Sequence, residues 1–128
     1  MASKHVFVVG YPGEGLANLQ CLLQMAGYRV TAARDVHEAI GLMLNKKHAF
    51  KKLDLILMGN GMLFMQFADM FNGLIRLSEK IKILILDDLE MKGMIVNNFI
   101  NELNTFDFDF CKYDELASKF DQILGLKI

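Results

Sequence analysis

Five short apolar runs alternate with five stretches of helical spacing, and this alternation constrains the fold more than any single residue does. The runs are His5 to Val9, Arg29 to Ala33, Leu53 to Met58, Ile81 to Leu86 and Phe106 to Cys111. Three of them are nearly unbroken Val, Ile, Leu and Met, as expected of parallel strands covered on both faces. Between them, apolar residues recur at steps of three and four. Leu16, Leu19, Leu22, Leu23 and Met25 mark a first helix, and Val36, Ala39, Ile40, Met43 and Leu44 a second. Phe64, Phe67, Phe71, Leu74 and Ile75 mark a third, Met94, Ile95, Phe99, Ile100 and Leu103 a fourth, and Leu116, Phe120, Ile123 and Leu124 a fifth. Because parallel neighbours need crossover connections, this order predicts an α/β fold: one doubly wound, five-stranded parallel sheet with helices on both faces.

The boundaries carry their own signals. Asp35-Val-His-Glu38 and Asp87-Asp-Leu-Glu90 read as capping boxes ahead of the second and fourth helices. Gly27 reads as a helix stop, and Asn60-Gly61 as a turn after the third strand. A length of 128 residues with 53% hydrophobic and 23% charged residues fits one domain over 1–128 with a well-filled core. Residues 1–4 are expected to be disordered or extraneous to it. No repeat or linker interrupts the pattern.

Charge and cysteine usage narrow the function classes. Fourteen Lys plus Arg nearly cancel 15 Asp plus Glu, so no strong positive field favours nucleic acid or anionic lipid. No apolar run approaches the roughly 20 residues needed to cross a bilayer. Cys21 and Cys111 are two lone cysteines without CxxC spacing, which suits reduced, buried thiols and a cytoplasmic location.

The segment Ala26-Gly-Tyr-Arg-Val-Thr-Ala-Ala-Arg-Asp-Val-His-Glu-Ala-Ile40 resembles a passage of the receiver domains of two-component response regulators, and Leu53-Asp-Leu-Ile-Leu-Met58 resembles their third strand. The likeness in element order spans nearly the whole chain. It implies a flavodoxin-like sheet of strand order 2-1-3-4-5. Receivers take a phosphoryl group on an Asp after the third strand, with Mg2+ held by acidic residues after the first. Here Gly59 stands at the acceptor position, and Gly10 and Tyr11 stand where the acidic pair would be. Without these oxygens neither a Mg2+ site nor an acceptor is expected. Asp87, or Asp88 one residue on, matches the family's hydroxyl residue after the fourth strand. At the fifth strand two registers stay open, with either Lys112 or Cys111 at the family's Lys position.

Other motifs have plainer readings. Gly10, Gly13 and Gly15, with Asp35 about 20 residues on, resemble a dinucleotide loop only loosely. The spacing is not G-x-G-x-x-G, and Pro12 removes an amide donor. Asp87 and Asp88, with Asn60, could hold a cation, but Asp at such a place commonly caps a helix. His5, His37 and His48 show no metal-ligand spacing, and Ser3, Ser78 and Ser118 lack nucleophile surroundings. Structural or solvated roles are expected for these six.

A surplus of apolar residues is the remaining signal. Leu63, Met70 and Leu77 fall beside the main stripe of the third helix, and the fourth helix is apolar over a wide arc. Such a surplus marks either a broad core-facing stripe or an association surface. Receivers commonly pair through the fourth helix, fifth strand and fifth helix. The resemblance therefore implies an interface over Met91, Met94, Ile95, Phe99, Phe106, Phe108, Phe110 and Tyr113. Asp107 and Asp109, alternating with Phe, suit an edge strand protected against unwanted pairing. The expectation is a non-enzymatic, cofactor-free regulatory module, unable to accept phosphate, that contacts a protein partner or a second copy. The alternative is a sensor of a nucleotide or metabolite at the carboxyl edge of the sheet.

Overall fold

The computed structural model describes residues 4–11, 13–45, 53–59, 66–75 and 81–124. Five strands, β1 (His5–Val9), β2 (Arg29–Ala33), β3 (Leu55–Met58), β4 (Lys82–Leu86) and β5 (Asp107–Cys111), form one parallel sheet of order β2-β1-β3-β4-β5. Among the described residues five α-helices accompany it: α1 (Gly13–Met25), α2 (Val36–Asn45), α3 (Gln66–Ile75), α4 (Lys92–Leu103) and α5 (Leu116–Leu124). A short 3-10 turn, Tyr113–Glu115, precedes α5. The expected fold class and strand order are thus met. Strands β3, β4 and β5 start one or two residues later than their apolar runs.

Alternation along the central strands sorts the core into two layers. Phe7, Val9, Ile56, Met58, Ile83 and Ile85 face α2, α3 and α4, whereas Val6, Val8, Leu55, Leu57, Leu84 and Leu86 face α1 and α5. Every residue of β1 and β3 is buried, which explains their unbroken apolar sequence. His5 belongs to this buried strand too. Its Nδ1 accepts from the Arg29 guanidinium at 3.2 Å and its Nε2 lies 2.7 Å from Thr31 Oγ1, so its role is structural.

The helix ends show how far local signals reach. Gly27 stops α1 at φ +93°, with Tyr28 N–H bonding Leu23 C=O at 2.9 Å and Gly27 N–H bonding Gln24 C=O at 3.0 Å, the two bonds of a Schellman motif. Asp35 caps α2 by accepting Glu38 N–H at 2.8 Å, but the Glu38 carboxylate returns to Arg34, both N–H and side chain, instead of to the cap residue. The expected box at 87–90 does not form. Glu90 adopts a left-handed conformation at φ 54°, and α4 begins only after Met91. The Asp87 carboxylate instead accepts Met91 N–H at 2.6 Å. Further along, α4 is kinked at Phe99, and just before the kink Asn98 Nδ2 donates to the Met94 carbonyl at 2.8 Å.

Of the apolar surplus beside the α3 stripe, the one described residue, Met70, is core, while Ile75 at the end of α3 is exposed. Met70 is fully buried beside Phe67, Phe71 and Leu74, which is the broad-stripe alternative. Leu63 and Leu77 lie outside the described residues, as do Phe64, Ser3, Ser78, His48 and the Asn60-Gly61 turn. On the β5 edge, Asp109 pairs with Lys119 at 2.5 Å and Asp107 with Lys82 at 3.3 Å. Charges thus line the exposed margin of the sheet.

Candidate functional site

In folds of this kind ligands bind at the carboxyl ends of the strands, where the chain leaves the sheet on either side. Gly10, Tyr11, Gly59, Asp87, Asp88 and Lys112 follow β1, β3, β4 and β5, so topology brings them to this edge. Asn60 lies outside the described residues.

The space that an acceptor carboxylate would need is filled by main chain. Gly10 takes φ 68° and donates its N–H to Ala33 C=O at 3.0 Å, while Gly59 N–H bonds Val9 C=O at 2.7 Å. These bonds extend the β1–β2 and β1–β3 pairings past the strand ends, and the β1–α1 connection packs against the end of β3. A Cβ on Gly59 would stand 2.6 Å from both Gly10 O and Tyr11 Cα, far inside van der Waals contact. A side chain at position 59 is therefore excluded by the neighbouring backbone. The cavity between Gly59, Phe67, Leu86, Asp87 and Ile95 measures only about 10 Å³, room for no more than about one water.

The carboxylates present are committed elsewhere. Asp87 holds Met91 N–H, and both Asp88 oxygens lie 3.1 Å from Tyr113 N. Lys112 reaches Glu90 at 3.5 Å. No group of three or more His, Cys, Asp or Glu that could hold a metal occurs among the described residues. The residues present do not fit the Mg2+ that the receiver resemblance implies, because hard-oxygen ligands are missing at Gly10, Tyr11 and Gly59.

What occupies the edge is an aromatic cluster that sequence reasoning did not find. Tyr11 is buried, and its ring stands 6.1 Å from that of the exposed Tyr113. Burial pushes the Tyr11 phenol well up from its ordinary value, helped by a hydrogen bond to Tyr113 and by the nearby Asp88 carboxylate. The same ring lies 3.0 Å from where a Cβ on Gly15 would be, so it folds back over the first turn of α1. The three connections after β1, β4 and β5 are thereby tied together. An aromatic residue replacing an acid after β1 was visible in the sequence, but its partner is 102 positions away (113 − 11).

Cys111 ends β5, paired with Leu86, and is buried, whereas Lys112 is exposed beyond the strand. Burial, reinforced by Glu115, pushes the Cys111 thiol up to about 12. A group raised in this way stays neutral in the fold, and its contribution to stability is lost as pH rises above the unfolded thiol value of about 8.5. Cys21, expected to be buried, is exposed on α1. At pH 8 Ellman's reagent should titrate Cys21 at once and Cys111 only after unfolding. Equal rates for both thiols in the native protein would overturn this placement.

Of the expected interface residues, Ile95, Phe99, Phe106 and Phe110 are buried core, Met91 and Phe108 are half-buried, and Met94 and Tyr113 are exposed. The pattern α4 presents outward is therefore narrower than its composition implied. No helix among the described residues is long and apolar enough to cross a membrane. No protein-family model matches the chain, and no curated protein matches it either.

Proposed function

We propose that the chain is a receiver-like regulatory module that does not take up phosphoryl groups and acts in signal transduction through contacts with another protein or with a second copy. The observation that carries this reading is the main chain of Gly10 and Tyr11 packed against Gly59, in the place where a receiver needs a carboxylate and its metal. Support also comes from the carboxylates of Asp87 and Asp88, which accept backbone N–H groups of this chain. No acceptor, base or metal site is gathered at the edge among the described residues, and this supports a non-catalytic role; two lone cysteines without CxxC spacing support the cytoplasm as its location. A contact surface follows from the same arrangement. Leu89 and Met94 are exposed beside the latched connection after β4, with Ile100 two turns further along α4, and exposed apolar side chains commonly mark association sites. A nucleotide or metabolite held beside Gly59 and Asp87 is disfavoured by the cavity of about 10 Å³ there.

The test is incubation with acetyl phosphate or beryllofluoride and Mg2+, followed by intact mass measurement and two-dimensional amide spectra. The expected result is an unchanged mass and unshifted resonances around residues 59 and 87. Saturable modification of an aspartate would overturn the proposal.

A further inference from the structure

A cavity of about 290 Å³ lies between α1 and α5 and reaches the carboxyl edge at Tyr11 and Tyr113, apart from the small space beside Gly59. Its lining includes the buried Leu19, Leu23, Leu116 and Phe120, together with the buried Tyr11. Tyr113 and Asp114 stand at its rim, both exposed. This volume sits at the lower limit of small-molecule sites, roughly 300 Å³, and such sites combine apolar walls with a few polar groups. It is too small for a helix and suits one ring system.

The rim decides which ring system. Asp114 borders the cavity, and Asp88 is close enough to act on the Tyr11 phenol. The lysines nearest in sequence, Lys112 and Lys119, are engaged with Glu90 and Asp109. A phosphate or carboxylate would therefore meet negative charge, whereas a cation would meet Asp114 and two tyrosines of the lining, a residue type that attracts cations through the ring quadrupole.

We propose that the α1–α5 groove is a binding site for a small aromatic compound carrying a protonated amine, its ring against Leu19, Leu23 and Phe120 and its ammonium toward Asp114 and the Tyr11–Tyr113 pair. This site goes beyond the contact role proposed above and does not depend on it. Uptake of phosphate at the edge would leave it standing.

The chain contains no tryptophan, so the indole emission of a probe is read without background. Tryptamine, indole and indole-3-acetate are titrated against the whole protein by fluorescence anisotropy. Tryptamine should saturate, with indole-3-acetate at least about tenfold weaker and indole between them. Asp114→Asn should weaken tryptamine by about threefold, as for an exposed ion pair, and leave indole unchanged. Ala117 is an exposed residue of the same wall, so Ala117→Trp should fill the groove without unfolding the protein. Here competition is read by ligand-observed NMR, and binding of all three probes should disappear. No saturation by tryptamine at millimolar concentration, equal binding of indole-3-acetate, or binding that survives Ala117→Trp in a folded protein would each overturn the proposal.

Discussion

Gly59→Ala is expected to destabilise the protein by about 3 kcal/mol, the upper range for forcing an extra methyl into a packed interior. In a chain of 128 residues that corresponds to a fall in Tm of roughly 10 °C. The cause is not glycine flexibility. A methyl at this position meets Gly10 O and Tyr11 Cα at 2.6 Å and Gly10 C at 2.8 Å. These are backbone atoms, held by the bonds from Gly10 N–H to Ala33 and from Gly59 N–H to Val9. Relief requires moving the whole β1–α1 connection, which would also pull Tyr11 from its place beside Tyr113. Gly59→Asp, which restores the acceptor residue type, should be at least as destabilising and should remain unmodified by acetyl phosphate with Mg2+. Urea unfolding measures the first effect and mass spectrometry the second. An alanine variant within about 0.5 kcal/mol of the parent, or a phosphorylated aspartate variant, would show that the connection yields easily.

At this edge the sequence displays part of the arrangement and conceals the rest. That the acidic positions of the resemblance are filled by Gly10, Tyr11 and Gly59 was legible, because these residues follow apolar runs that read as central strands. The filling of the vacated space was not, since it depends on how two connections pack after the sheet is formed. Asp87 to Glu90 shows the same limit. The capping-box spacing is present, yet the left-handed Glu90 delays the helix, and Asp88 spends its carboxylate on Tyr113, 25 positions away (113 − 88). Local pattern records spacing along one element and is blind to a partner supplied by another.

The fold itself was legible for a converse reason. Strands buried on both faces must be apolar at every position, and helices lying on a sheet must be apolar on one stripe, so both requirements are written locally. Strand starts were misjudged because Leu53, Ile81 and Phe106 are buried just before pairing begins. Apolarity reports burial, and strand assignment reports hydrogen bonding. The α1–α5 groove went unnoticed because its wall residues are ordinary helix-stripe leucines. Only the separation of two helices makes a cavity of them.

Phe71→Ala should be the most damaging single truncation considered, at about 4 kcal/mol. The ring is fully buried, 5.9 Å from Phe67, 5.5 Å and edge-on to Phe99, and 6.3 Å from Phe106. It thus joins α3, α4 and the entry to β5, and its removal leaves a cavity whose walls belong to three separate elements. Collapse into that cavity is resisted because β5 is fixed to β4 by the sheet. Met94 offers the opposite case. It lies on α4 one residue before the buried Ile95 but is about half exposed at 52%, so Met94→Ala should change stability by less than about 0.5 kcal/mol. If α4 serves as the contact surface, Met94→Asp should leave unfolding unchanged while shifting a dimer to monomer in light scattering at equal concentration. A Phe71→Ala cost below about 1.5 kcal/mol would mean that the aromatic group is not a shared support. A Met94→Ala cost above about 2 kcal/mol would mean that this face is core, and the contact surface would then have to lie elsewhere.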